Sequence, residues 1–171
     1  MNSHPDFRSY FENVASKLKL LGREPGMVNL FFVEGPEMAH MMLVSVRNKL
    51  TLPCLMVEFY DEDNENSDAR FQVLRSAFIV LDQAKKSSEG VGDVESAIYQ
   101  RCKIGADQIF ARMKNQSDKL QIKIDNKPTM ISGSSPGNWV GPLANDLYGW
   151  RIEFTWRVAA GTCFDPQAWD D

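Results

Sequence analysis

The sequence predicts an α+β domain, with helices packed on one face of a mostly antiparallel sheet. Three observations carry this. Apolar residues recur at three- and four-residue spacing over residues 5–21 and again from Val94 to Met113, which draws one stripe on each of two helices. Apolar and polar residues alternate over residues 150–158 and in shorter runs elsewhere. The segments then follow in the order helix, strand, helix, strand, strand, helix, strand, loop, strand.

The first helix carries Phe7, Tyr10, Phe11, Val14, Leu18 and Leu21 on its stripe. Ser3 is the expected N-cap, Pro5 and Asp6 fall in the first turn, and Gly22 closes the far end. Residues 28–33 form an apolar run of strand length. Gly35 and Pro36 resemble a helix start, and a second helix to Lys49 is expected, buried on two sides because Met41, Met42, Leu43, Val44 and Val46 cover more than one face; a second strand is the alternative. The methionines Met38, Met41 and Met42 read as core gap-fillers or as a plastic binding surface. Residues 54–60 read as a strand with Leu55, Val57 and Phe59 on one face and Glu58 on the other.

Residues 61–68 hold five acidic residues and no base, and are expected to be a solvated loop joining that strand to an antiparallel one over residues 71–81. Residues 85–92 are a polar linker, and Asp93 caps a long helix to about Asn115, with Val94, Ile98, Cys102, Gly105, Ile109 and Met113 buried. Leu120, Ile122 and Ile124 alternate with Gln121, Lys123 and Asp125 in a strand ended by Asn126, Lys127 and Pro128. Residues 129–143, rich in Gly, Ser and Pro, are read as a loop. Trp150, Ile152, Phe154, Trp156 and Val158 give the last strand one wholly apolar face.

At 171 residues, 43% hydrophobic and 25% charged, the chain is long enough to remove roughly 70% of its unfolded surface from water without disulfides or a structural metal. One domain over residues 1–160 is expected, followed by an arm over 161–171 in which Phe164 and Trp169 lie among Asp165, Asp170 and Asp171. Cys54, Cys102 and Cys163 are odd in number and widely spaced, which predicts a reduced, cytoplasmic setting. A net charge of −4 argues against a surface that coats nucleic acid or a polybasic membrane anchor. The N-terminus has charges through its apolar positions and no apolar run approaches about 20 residues, so no signal peptide, membrane span or membrane partner is expected.

The chemistry-bearing residues are sparse. The two histidines are His4 near the terminus and His40 in an apolar run, and no cysteine has a histidine nearby in sequence, so no catalytic residue is expected. Asp61, Asp63 and Glu65 sit at the odd positions of a calcium loop, but the turn-glycine position is Asn66 and the bidentate position is Gln72. Residues 133–137 are too short for a phosphate loop and lack its Lys-Ser/Thr pair, and the strand arginines Arg151 and Arg157 are offset by Glu153. No metal and no cofactor are predicted.

The amphipathic first helix, LeuMetValGluPheTyr at 55–60, AlaAspGlnIlePheAlaArgMet at 106–113 and AsnAspLeuTyrGlyTrpArgIleGluPhe at 145–154 together resemble the small neck and tail-completion proteins of long-tailed phages, in particular the tail-terminator type. The resemblance spans roughly residues 5–158 and leaves out the acidic loop, residues 130–143 and the tail beyond 160. It implies a structural virion protein without catalysis, assembled in the host cytoplasm. Such a protein forms a ring, commonly a hexamer of itself, that caps the head-proximal end of the tail tube and joins it to the head connector, with DNA passing through the lumen unbound.

Under that resemblance the contacts between copies are assigned to Trp139, Phe164 and Trp169, and the acidic residues Asp61, Glu62, Asp63, Glu65 and Asp68 face the lumen. Read by themselves, those acidic residues are a solvated hairpin tip. Trp150 and Trp156 are read as core. Two further readings stay open: a monomeric or dimeric bacterial ligand- or partner-binding module, whose pocket lies between the sheet's open face and residues 130–143, and a metal-dependent hydrolase built on the acidic loop.

Overall fold

A computed structural model describes residues 3–34, 41, 43–65, 71–83, 91–144 and 146–159. The chain runs α1 (Ser3–Lys17), β1 (Val28–Val33), a helical turn over residues 43–46 that tightens into a 3-10 turn (Arg47–Lys49), β2 (Leu50–Glu58), β3 (Asp61–Glu65), β4 (Phe71–Gln83), α2 (Val91–Asp118), β5 (Lys123–Ile124), β6 (Lys127–Ile131), β7 (Gly137–Leu143) and β8 (Leu147–Ala159). The α+β architecture is as expected: helices with a mixed, mostly antiparallel sheet.

The longest strands, β4 and β8, form an antiparallel ribbon from Phe71 opposite Ala159 to Gln83 opposite Leu147. Each outer edge of this ribbon carries two shorter strands placed end to end. Along β4, β3 pairs with Phe71–Arg75 and β2 with Phe78–Leu81. Along β8, β6 pairs with Trp156–Val158 and β7 with the Leu147–Ile152 half. Beyond β2 lies β1, the one parallel neighbour among the described residues.

Period-two alternation puts different residues on the two faces of this sheet. Leu55, Val57, Leu74, Phe78, Val80, Ile152, Phe154, Trp156 and Val158 meet Phe7, Phe11 and Val14 of α1 and Ile98, Cys102, Ala106, Ile109 and Met113 of α2. Trp156 is wholly buried, edge-on to Phe7 at 5.5 Å and to Tyr10 at 5.2 Å. Tyr10 Oη donates to Gln116 Oε1 at 2.9 Å and so ties α1 to α2. A smaller core on the opposite face joins Phe31, Val33, Cys54, Met56, Ile79 and Leu81 to Leu43, Leu50, Ala144 and Leu147. The helical turn after residue 42 thus covers the far face, where two-sided burial had been expected of it: Leu43 is buried, while Met41 and Val44 are exposed. Its expected start at Gly35 and Pro36, with Met38 and Met42, lies outside the described residues.

Several expected boundaries move, each for a physical reason. Ser3 is already helical, and α1 ends at Lys17, short of Gly22. Gly22 is instead a point of close approach: its N donates to Pro53 O at 2.8 Å, and a Cβ there would stand 1.9 Å from Thr51 Cγ2. Asp93 lies inside α2, which begins at Val91, so the expected linker gives its last two residues to the helix. The residues expected to be a loop at 129–143 form β6 and β7, joined by a turn at 132–136.

The strand expected from Leu120 shrinks to Lys123–Ile124 because the end of α2 takes Leu120 for itself. Leu120 N donates to Ser117 O at 2.9 Å and Gln121 N to Gln116 O at 2.8 Å, the paired bonds of a Schellman motif. That motif needs a left-handed residue where Leu120 stands, at φ 55°. The following hairpin turns through Asp125 (φ 50°) and Asn126 (φ 61°), a two-residue turn of the type that Asn and Asp tolerate. Leu120 is half exposed and branched, so it carries left-handed strain with little burial in return. Leu120→Gly should therefore stabilise the protein by about 0.5–1 kcal/mol, read from urea unfolding; an unchanged or lower midpoint would refute this.

Candidate functional site

The far face of the sheet is apolar where β1 and β2 adjoin Ile79 and Leu81 of β4 and Leu147 of β8. Towards the middle it becomes a trough of about 540 Å³, lined by Glu34, Glu58, Tyr60, Asp61, Arg75, Arg151, Glu153 and Thr155, with Ser134 and Pro136 forming one wall. The register places these residues. Arg75 stands opposite Thr155 and Ala77 opposite Glu153, so the small Ala77 leaves the floor low between charged neighbours.

Arg151 organises this floor. Its Nε donates to Glu58 Oε1 and its Nη2 to Glu58 Oε2, both at 2.9 Å, while Nη1 donates to Glu153. The bidentate pair is largely buried, with side-chain exposures of 20% for Arg151 and 9% for Glu58. The hydrogen bonds it donates to Glu58 hold the guanidinium well above its ordinary pKa, against the opposing effect of burial. Beneath it, Ser76 Oγ donates to Glu58 O at 2.6 Å. Both carboxylate oxygens of Glu58 are thus occupied in fixing one cation, an arrangement that joins β2 to β8 across β4.

The sequence pattern missed this pair. Read locally, Glu58 lies on the strand face opposite Leu55, Val57 and Phe59 and Arg151 is offset by Glu153, and their separation of 93 residues hides the pairing. The available signal was an acidic residue within the apolar run LeuMetValGluPhe, which a solvated face would not require.

The acidic segment also differs from expectation. Residues 61–65 are β3, paired with β4 from Asp61 opposite Arg75 to Glu65 opposite Phe71. Asp61, Glu62 and Asp63 are exposed, and Asp63 meets Arg75 at 3.3 Å. A calcium loop must curl its odd positions about one point, whereas an extended strand spreads them along an edge. Among the described residues, no three metal-ligating side chains converge. Asp68 lies outside the described residues, as does His40.

Trp139 is not in a loop. It lies on β7 opposite Trp150 and is half-buried, its ring stacked on Tyr148 at 5.6 Å and tilted against Tyr99 at 5.1 Å. Trp150, half-buried beside it, meets Tyr99 edge-on and sits under the Lys103 ammonium. This cluster fastens β7 and β8 to α2, so Trp139 is largely spent on packing within the chain. Phe164 and Trp169 lie outside the described residues.

Cys54 and Cys102 are wholly buried, each on one face of the sheet. Burial, with the Asp82 carboxylate nearby, pushes the Cys102 thiol up to about 12 and Cys54 higher still. Both are therefore packed neutral thiols rather than nucleophiles. Cys163 lies outside the described residues.

No protein-family model and no curated protein sequence matches the chain.

Two outcomes follow. Arg151→Met leaves the buried Glu58 carboxylate without its cation and should cost about 3 kcal/mol in urea unfolding, most of it recovered by adding Glu58→Leu. A single variant as stable as the parent would show that the pair is not fixing the sheet. The thiols set an alkaline limit. Their folded pKa values are raised, so their contribution is complete below the unfolded value near 8.5 and declines as pH climbs towards 12, by up to about 1.4 kcal/mol per pH unit for each thiol. Cys102→Ala should flatten the stability loss between pH 8.5 and 10 in thermal melts; parallel curves would contradict this.

Proposed function

We propose that the chain is a structural subunit of a phage tail's head-proximal end, a tail-terminator-type protein. In this reading it assembles as a ring, commonly of six copies, between the tail tube and the head connector. The observation that carries the reading is the way the sheet ends. Among the described residues, β1 closes one side with a single strand neighbour, and β7 and β5 close the other in the same way. A head-to-tail ring is built from two unlike surfaces on opposite sides of each copy, and open strand edges are frequent sources of such surfaces.

Two further features support it. The four segments that carry the resemblance meet in one core: Phe7 and Phe11 of α1, Leu55 and Val57 of β2, Ile109 and Met113 of α2, and Ile152 and Phe154 of β8. Glu58, Arg151 and Glu153 on the trough floor are engaged with one another, which suits a framework. With a net charge of −4 the chain gives DNA passing through such a ring little reason to adhere, since phosphate affinity comes from clustered Lys and Arg. No helix among the described residues is long and apolar enough to cross a membrane, and the proposed location is the virion.

One observation favours a second reading, the monomeric or dimeric binding module. The trough has the lining that reading expects, the open sheet face and Ser134 and Pro136.

Absolute mass separates the two. Light scattering after size exclusion, over a range of concentration and with a chain ending at Gly161 alongside, should give a closed ring of about six copies. Dependence on the arm through Phe164 and Trp169 would show as loss of that mass on truncation. A monomer or dimer at every concentration would favour the binding module.

A further inference from the structure

The ribbon's Phe71–Leu74 end is bordered by two strands of opposite charge. The register there runs Asn64 opposite Gln72, Gln72 opposite Val158, and Val158 opposite Thr129, with β6 then pairing β5 through Lys127 and Ile124. The strand order at this end is therefore β3, β4, β8, β6, β5. Its outer members each have one strand neighbour among the described residues.

Residues 61–68, through β3 and beyond it, contain five acidic residues and no basic one. Residues 112–127, leading into and through the β5–β6 hairpin, contain five basic residues and two acidic ones. Asp61, Glu62 and Asp63 are exposed, and among the described residues their single basic partner is Arg75, at Asp63. Lys119 and Lys123 are exposed and Lys127 is half exposed. None of these lysines makes an ion pair among the described residues.

The symmetry of a contact follows from this placement. A two-fold contact through β3 would set carboxylates against carboxylates, and one through the lysine hairpin would set ammonium groups against each other. Like charges face to face are strongly disfavoured at an interface. Among edge-to-edge contacts, the head-to-tail one, the β3 edge of one copy against the β5–β6 corner of the next, brings unlike charges together.

We propose that Asp61, Glu62 and Asp63 of one copy meet Lys119, Lys123 and Lys127 of the next, and that this is the repeating contact of the ring, so that the β3 edge serves the subunit boundary rather than the lumen. The inference rests on the ring reading above. Exposed charge pairs add little affinity individually; their role here is to choose the partner surface and its register.

Charge reversal in the full chain tests it, with circular dichroism and thermal melts to confirm folding of each variant. One variant carries Asp61→Lys and Glu62→Lys, a second carries Lys123→Glu and Lys127→Glu, and a third carries all four changes. Light scattering should show the parent as a ring that loosens with added salt, each one-sided variant reduced to the 19.4 kDa chain, and ring mass restored by the fourfold swap. The two one-sided variants mixed in equal amounts should also associate. Rings formed equally well by both one-sided variants would overturn the assigned contact while leaving the ring reading intact. Failure of the fourfold swap to restore assembly would overturn the pairing of these two edges. A parent that stays monomeric at every concentration and salt would overturn the ring reading and this contact together.

Discussion

The antiparallel ribbon of β4 and β8 is the constraint on which the rest of the fold depends. Its register decides, residue by residue, what faces the helices and what faces the trough. A slip of one residue would turn Arg151, Glu153 and Arg157 into the helix-side core and Trp156 and Phe154 out of it. The close fit at Gly149 opposes any such slip: a Cβ there would stand 2.5 Å from Val80 O, so the two strands approach closely where no side chain intervenes. Each shorter strand then borrows its order from this ribbon, since all but β1 and β5 pair directly with it.

Charge on the far face is organised by the same register. Arg151 reaches across β4 to Glu58 past the small Ala77, and from the other side of the sheet Ser76 adds its own bond to the Glu58 carbonyl. A buried ion pair contributes little net stability once desolvation is counted, but an unpaired member is costly. Its effect here is on specificity: β2 has one position along the ribbon at which both Glu58 oxygens are satisfied. On the helix side the corresponding task falls to Trp156 and its ring of aromatic neighbours, where shape takes the place of charge.

The parts legible in the sequence are those where a local period reflects two different environments. Residues 150–158 alternate because one face meets a core and the other meets charged neighbours, and the α2 stripe from Ile98 to Met113 is buried as its spacing predicts. Where the local pattern competes with tertiary pairing, it misleads. A run of acidic residues reads as a solvated loop, yet 61–65 is a strand because the free edge of β4 offers it backbone partners. Gly141 and Pro142 read as part of a loop, although an outer strand such as β7 accommodates them where its register shifts. Leu120 mimics the first residue of an alternating strand while acting as a helix terminator. The Glu58–Arg151 pair has no local signature at all, since its two halves come together only once the ribbon has formed.

The uneven distribution of charge described for the ribbon's Phe71 end has a kinetic consequence. A molecule with surplus carboxylate at one limit of its strand order and surplus ammonium at the other is an electric dipole lying across its own sheet. Two such molecules begin to rotate into line while water still separates them, within the Debye length of about 8 Å at physiological ionic strength. In the proposed ring assembly, collisions would then be sorted by orientation before any surface is desolvated, raising the fraction that are productive and making encounter rates steeply dependent on salt.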